Sequence, residues 1–409
     1  MIDINALRDN PDFFKKITAD KQMDPALVDA VLEMDSKWRD ILSKVESLRA
    51  EKNKAAKERN IEKGKEIKDK LKQAEPLLSE AEEAMNTVIN KIPNPAFEDV
   101  PVGRGEGDNK ELRIVGEKPQ FSFEPKDHLE IAQRLGIIDF DAGAKVSGSQ
   151  FYYLKGDAVL LELALLNYGF ELLIQKGYQP IATPDLARSR YYLGTGYNPK
   201  GDEAQIYEIE GQDLGLIATA EVTMAGLHAD EVLQLAEPIR YAAVSHCFRQ
   251  EAGAYGKYSK GLYRVHQFTK LEMFAYTRPE ESEKLHQEML AIEEEIYQGL
   301  GIPYRVLEMC TGDLGAIAAK KYDLEAWMPG RNDWGEVTST SNTTDYQSRN
   351  LNIKYQDKDN LGYAHLLNGT AMAMSRTPIA ILENYQNEDG SVTIPEVLRK
   401  YMGKDKIEA

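Results

Sequence analysis

The stretch FRQEAGAYGKYSKGLYRVHQFTKLE, residues 248–272, joins two strand-like runs through a long loop that contains glycine. Residues 241–248 read as one strand and 265–276 as the next, with aromatic and β-branched side chains in both. The loop between them, 249–264, holds Gly253, Gly256 and Gly261 and the cations Lys257, Lys260 and Arg264. A basic, glycine-bearing loop between strands suits a polyphosphate. Arg249 stands where the first strand ends, and its planar guanidinium can grip a phosphate or carboxylate in bidentate fashion. Glu251, two residues on, can accept from an amine.

On either side, strand-like runs at 239–245, 265–276 and 304–309 alternate with a helical run at 279–299. They lack a regular βαβ rhythm, so the expected fold is α+β with a largely antiparallel sheet from residue 121 to the end. The stretch 158–174 is apolar nearly all round. It fits a dimer interface or a buried core helix, and with Glu162, Asn167 and Glu171 it is too short and too polar to span a bilayer.

Residues 28–92 differ in character, with one glycine, one proline and many Glu, Lys and Ala. Met34, Trp38, Ile41, Val45 and Leu48 are spaced 4, 3, 4, 3, and 67, 71, 74, 78, 81, 85, 88 and 92 continue the alternation. This is a coiled-coil seam. A reversal at 60–64 gives an antiparallel hairpin on the order of 45 Å long, with Pro76 expected to kink the second helix. Residues 49–72 hold ten Lys/Arg against five Asp/Glu, a local +5, within a chain of net charge −17. The remainder therefore carries −22, since −17 minus +5 is −22. The excess marks Lys52, Lys54, Lys57, Arg59, Lys63 and Lys65 as a polyanion-binding face rather than a merely solvated one. The expected layout is an N-terminal domain with its polyanion-binding arm at 1–98, a linker at 99–120 and an α+β domain at 121–409.

Several chemistries are excluded. Gly256 to Gly261 is followed by Leu262 where a P-loop requires lysine. The six histidines show no HExxH or other ligand spacing, and no GxSxG elbow is present. Two cysteines, Cys247 and Cys310, make no disulfide framework and fit a reducing, cytoplasmic location.

The quoted stretch resembles motif 2 of class II aminoacyl-tRNA synthetases, in the FR(x)EAG…RVHQF…K(x)E form of the seryl branch. Other segments agree in order: GYQPIATP at 177–184 with motif 1, Thr219-Ala220-Glu221 with the serine-binding TAE signature, TGDLG at 311–315 with YDLE at 322–325 and EVTSTSN at 336–342, and NGTAMAMSR at 368–376 with ILENYQ at 381–386 as motif 3. The hairpin resembles the family's tRNA arm. Ala371 and Ser375 depart from glycines common in motif 3.

The resemblance implies ligation of L-serine to tRNA(Ser), and to tRNA(Sec) where present, through seryl-adenylate made from ATP with Mg²⁺, by a homodimer. It implies that Arg249 bridges the α-phosphate and the serine carboxylate, that Arg376 holds the far phosphates, and that Glu336 with Ser339 binds Mg²⁺. Serine contacts carried over are Thr219, Ala220, Glu221, Arg249, Glu272, Asn368 and Thr370. Nucleotide contacts are Arg249, Gln250, Glu251, Val265, Phe268, Glu336, Val337, Thr338, Ser339 and Arg376. Taken singly, Thr219 also reads as a helix N-cap and Glu272 as a solvent-facing strand residue. A paralogue that loads a carrier protein and an inactive regulatory homologue are the competing readings.

Overall fold

The computed structural model describes residues 1–197, 206–251, 260–358 and 360–409. By internal packing the chain divides into two units, Met1–Ala96 and Phe97–Ala409.

In the first unit, two short helices precede the hairpin of α1 (Ala26–Lys57) and α2 (Ile61–Ile89). The seam forms as its spacing requires. Val45, Ala55, Ile67 and Leu71 are buried, flanked by partly buried Ile41, Leu48, Ala74 and Leu78. Arg49 pairs with Glu75 across the two helices at 2.9 Å. Asp35 of α1 is fully buried, yet it accepts from Arg8 Nε at 2.8 Å and Arg39 Nε at 3.0 Å. A buried charge needs such partners.

The reversal lies slightly earlier than the glycine suggests. Arg59 takes the left-handed conformation at φ +55°, and Asn60 caps α2 by accepting from the Lys63 N–H. Gly64 lies inside α2 and turns nothing. The helix also continues through Pro76, whose missing donor is a single gap in the ladder.

The second unit is built on an eight-stranded sheet: β1 (Lys110–Val115), β2 (Gln179–Ala182), β3 (Ile239–Phe248), β4 (Gln267–Thr277), β5 (Tyr304–Glu308), β6 (Lys320–Met328), β7 (Asp333–Asn342) and β8 (His365–Ala373). Their order is β1-β5-β6-β7-β8-β4-β3-β2. Every neighbouring pair is antiparallel except β2 with β3. The α+β expectation therefore holds. The linker expectation needs one correction, because residues 110–115 form the edge strand against Tyr304–Glu308. Four of the six strand residues stay exposed, so their polarity hid the strand.

The opposite helix layers follow from packing. In α3 (Asp157–Gln175), Gly169 lies over β4 and β8, where a Cβ would strike Leu271 and Met372. Helix α4 (Ala220–Leu227) starts at the capping Thr219. Helix α5 (Ser282–Gly299) packs beneath β7 and β8, and α6 (Thr377–Asn384) follows Arg376.

Two irregularities in the sheet fall at chemically informative residues. Leu271 opposes Met372 while Glu272 opposes Thr370, which leaves Ala371 as an extra residue. Leu324 opposes Thr338 while Glu325 opposes Glu336, which leaves Val337 extra. Bulges of this kind re-aim side chains beside active sites.

Candidate active site

The two central strands β4 and β8 bring one buried polar cluster together. Glu272 is almost fully buried and receives a 2.6 Å hydrogen bond from Thr219 Oγ1. The Lys270 ammonium donates to the same Thr219 oxygen at 2.7 Å and pairs with the Glu272 carboxylate. Thr219 is also the N-cap of α4, accepting from the Glu221 N–H at 3.2 Å. The helix cap and the hydrogen bond to Glu272 are thus one arrangement.

Glu221 projects from the first turn of α4. Its carboxylate accepts from Tyr197 Oη at 3.0 Å, Gln347 Nε2 at 2.6 Å and Asn368 Nδ2 at 2.9 Å. Burial, with the Glu272 charge added, pushes its carboxyl above the ordinary range against the pull of Gln347, Lys270 and Tyr197. Glu221, Arg249, Glu272, Glu336, Ser339, Asn368 and Thr370 line one cavity of about 290 Å³.

A second cavity shares Arg249, Lys270, Glu336 and Thr370 with the first. Its other walls include Glu251, Arg264, Val265, Phe268, Val337, Thr338 and Arg376. Arg249 lies 5.3 Å over the Phe268 ring and donates from Nε to the Ala218 carbonyl at 3.3 Å. Arg376 pairs with Glu336 at 2.9 Å, donates to its carbonyl at 3.1 Å and lies 4.8 Å over Tyr263. Burial alone would raise the Glu336 carboxyl. The Arg376, Lys321 and Arg249 cations outweigh it and hold the group below the ordinary carboxylate range. Glu336 is therefore ionised at neutral pH.

Glu251 accepts from Arg264 at 3.0 Å from a left-handed backbone, φ +51°. Such a conformation in a non-glycine residue costs about 1–3 kcal/mol and clusters at ligand clamps. Three expected residues do not line either cavity. Thr219 and Ala220 sit fully buried behind Glu272 and Glu221, and the Gln250 amide turns to the Ile206 carbonyl at 2.8 Å. Lys257 and the glycines 253 and 256 lie outside the described residues.

Sequence reasoning missed Tyr197, Gln347, Lys321 and Tyr263. Lys321 stands one residue before the YDLE segment, which is a local signal. Tyr197 and Gln347 reach Glu221 from 24 and 126 residues away and carry no local signal. No group of three or more candidate metal ligands occurs among the described residues.

The chain matches the model of the class II tRNA synthetase core domain (G, H, P, S and T) over residues 206–385, and that of the seryl-tRNA synthetase N-terminal domain over residues 1–96. It is 52% identical to the serine–tRNA ligase of Rubrobacter xylanophilus over 420 residues, covering 100% of this chain and 99% of that protein. It is 49% identical over 422 residues to that of Treponema denticola, covering 100% of both. The crystal structure of seryl-tRNA synthetase from Pyrococcus horikoshii complexed with ATP superposes with a TM-score of 0.91 at 41% identity, over 100% of this chain and 99% of that one. The cytoplasmic serine–tRNA ligase of Naegleria fowleri in complex with AMP gives 0.88 at 37% identity, with the same coverage. With relatives 52% and 49% identical over its whole length and both of its units matched in this way, the chain belongs to the seryl-tRNA synthetase family.

Proposed function

We propose that the chain is an active serine–tRNA ligase. It joins the carboxylate of L-serine to the α-phosphorus of ATP, releasing pyrophosphate, and then passes the seryl group to the 3′ hydroxyl of tRNA(Ser), and of tRNA(Sec) where an organism makes it. One observation carries the reading. A polar pocket lined by Glu272, Glu221, Asn368 and Thr370 adjoins a cavity lined by Arg264, Phe268 and Arg376, and the two share Arg249, Lys270, Glu336 and Thr370.

The first step needs little proton transfer, because a carboxylate is already nucleophilic. Catalysis is then mostly positioning and charge neutralisation. Arg249 borders both cavities, which suits a bridge between serine carboxylate and α-phosphate. Phe268 offers a ring face to the adenine. Arg376, placed at the start of α6, suits the far phosphates. Serine's hydroxyl and ammonium find Glu272, Glu221 and Thr370, with Thr219 and Asn368 fixing the carboxylates in place. A site that hydrogen-bonds a hydroxyl rejects alanine strongly, because its buried polar groups are left unpaired.

Glu336 and Ser339 line the same cavity and offer hard oxygen donors, which fits Mg²⁺ completed by phosphate and water oxygens. Bound there, the ion would neutralise charge on the phosphates. The six arm cations Lys52, Lys54, Lys57, Arg59, Lys63 and Lys65 are all exposed, which supports tRNA binding by residues 1–98 over loading of a carrier protein. Residues 121–409 carry catalysis, and 99–120 connect the two while supplying β1. The exposed apolar residues Val159, Leu160, Leu163 and Ile174 of α3 support a homodimer. No described helix is long and apolar enough to cross a membrane, and the two cysteines are free and buried, which suits a reducing, cytoplasmic location.

The test is serine-dependent ATP–pyrophosphate exchange followed by charging of tRNA(Ser). Both activities are expected. Absence of exchange overturns the ligase reading, and exchange without charging turns it toward the carrier ligase.

A further inference from the structure

The amino-acid pocket already contains an ammonium. Lys270 is 5% exposed, and its Nζ contacts both Thr219 and Glu272. A threonine hydroxyl has one proton to give and two lone pairs to share. In this structure all three are used: Glu272 takes the proton, and the Glu221 N–H and Lys270 take the lone pairs. The Glu272 carboxylate is likewise engaged by Thr219 and Lys270. An incoming amino acid also brings a compact ammonium and a small hydroxyl. It must compete with Lys270 for these groups.

Lys270 has somewhere to go. It borders the neighbouring cavity together with Arg249, Glu336 and Thr370. In that cavity two other cations are committed to carboxylates, Arg264 to Glu251 and Arg376 to Glu336. A lysine head on a flexible four-carbon stem shifts more easily than a fixed guanidinium fork. Polyphosphate arriving there offers it a stronger anion than the one it leaves.

We infer that Lys270 is a resident ammonium that occupies the serine pocket until ATP draws it across, so that nucleotide binding opens the pocket to serine. This rests on the reading of the two cavities as serine and ATP sites. It goes further in coupling them through one positioning residue. The coupling is reciprocal, so serine also favours nucleotide.

Calorimetric titration of serine into the full chain tests it, with and without the Mg²⁺ complex of an ATP analogue whose α,β bridge is methylene and cannot be cleaved. In the wild type the analogue is expected to tighten serine binding at least about tenfold. In Lys270→Gln the two affinities are expected to agree within about twofold, and the nucleotide-free variant binds serine more tightly than nucleotide-free wild type. Lys270→Arg keeps a cation and retains part of the coupling. A melting curve for each variant separates loss of fold from loss of coupling. Wild-type serine affinity that ignores the analogue, or a folded Lys270→Gln protein with the wild-type ratio, overturns the inference. Wild-type protein that binds no serine under either condition instead overturns the ligase reading beneath it.

Discussion

Glu293 and His286 sit on the buried face of α5, beneath the strands that carry the site. Glu293 Oε2 accepts from Thr338 Oγ1 at 2.9 Å, while its Oε1 and His286 Nε2 find no hydrogen-bond partner among the described residues. Burial, with Asp323 and Glu272 adding, pushes the Glu293 carboxyl well above its ordinary 4.5 against the pull of Thr338. Burial pulls His286 down to about 4 from 6.5. His286 is therefore neutral in the fold at neutral pH, Glu293 keeps its proton to a higher pH than a free carboxyl, and the signs of their linkage differ. Above pH 4.5 the folded chain holds the Glu293 proton that the unfolded chain has lost, so stability falls as pH rises through that window. Below pH 6.5 the unfolded chain takes up a proton that folded His286 refuses, so stability falls as pH drops toward 4. Above pH 4.5 Glu293→Gln should therefore gain stability over wild type with rising pH, by at most roughly 1.4 kcal/mol per pH unit, until the folded wild type also releases its proton. His286→Gln should gain it with falling pH below 6.5. Denaturant midpoints across pH 4–9 check both, and parallel curves for wild type and variants would remove the assignment. These two groups were not legible in the sequence. A helix with Glu and His at two-turn spacing reads as amphipathic, and only the packing of α5 under Gly369 and Thr338 shows which face is covered. Arg249, Glu272, Glu336 and Arg376 were legible because each lies in a short local motif, whereas Tyr197 and Gln347 meet Glu221 only through the fold.

The hairpin is the element that the sequence specified most fully. Its 4, 3 spacing is local, and the seam residues are those the packing buries. Only the reversal was misplaced, because a left-handed arginine is set by the turn and not by side-chain preference. Strand β1 was missed for the opposite reason, since its register with Tyr304–Glu308 is a pairing over nearly 200 residues. For the hairpin the expected experiment is a charge reversal. Lys57, Arg59, Lys63 and Lys65 replaced together by Glu should weaken tRNA charging while serine-dependent exchange stays within about twofold of wild type. Removing four phosphate-neutralising cations would lower tRNA affinity by at least about tenfold and flatten its salt dependence. Equal loss of exchange and charging would show that the arm also serves the first step.

At the scale of the whole molecule the remaining question is how many chains act together. Helix α3 buries Leu161, Leu165 and Leu173 against the sheet, and it leaves Val159, Leu160 and Leu163 between 40% and 50% exposed, with Ile174 at 53%. The sequence could not separate an interface from a buried helix, because an all-round apolar pattern suits both. The structure shows a helix with one covered side and one open apolar side. Scattered single apolar residues on a surface need no explanation, but several on one helix face mark an interaction site. The −22 carried outside the basic segment opposes association through charge, so apolar contact must supply the attraction. A stable interface of about 1,600 Å² exceeds what one helix face offers, so the contact is expected to extend to the neighbouring edge strand β2. Leu160→Glu with Leu163→Glu would place two charges in that contact. The expected result in sedimentation equilibrium is a wild type at the two-chain mass, twice 46.1 kDa, and a double variant at the one-chain mass with an unchanged melting temperature. A wild type that sediments as a single chain would leave the open face of α3 without a role in assembly.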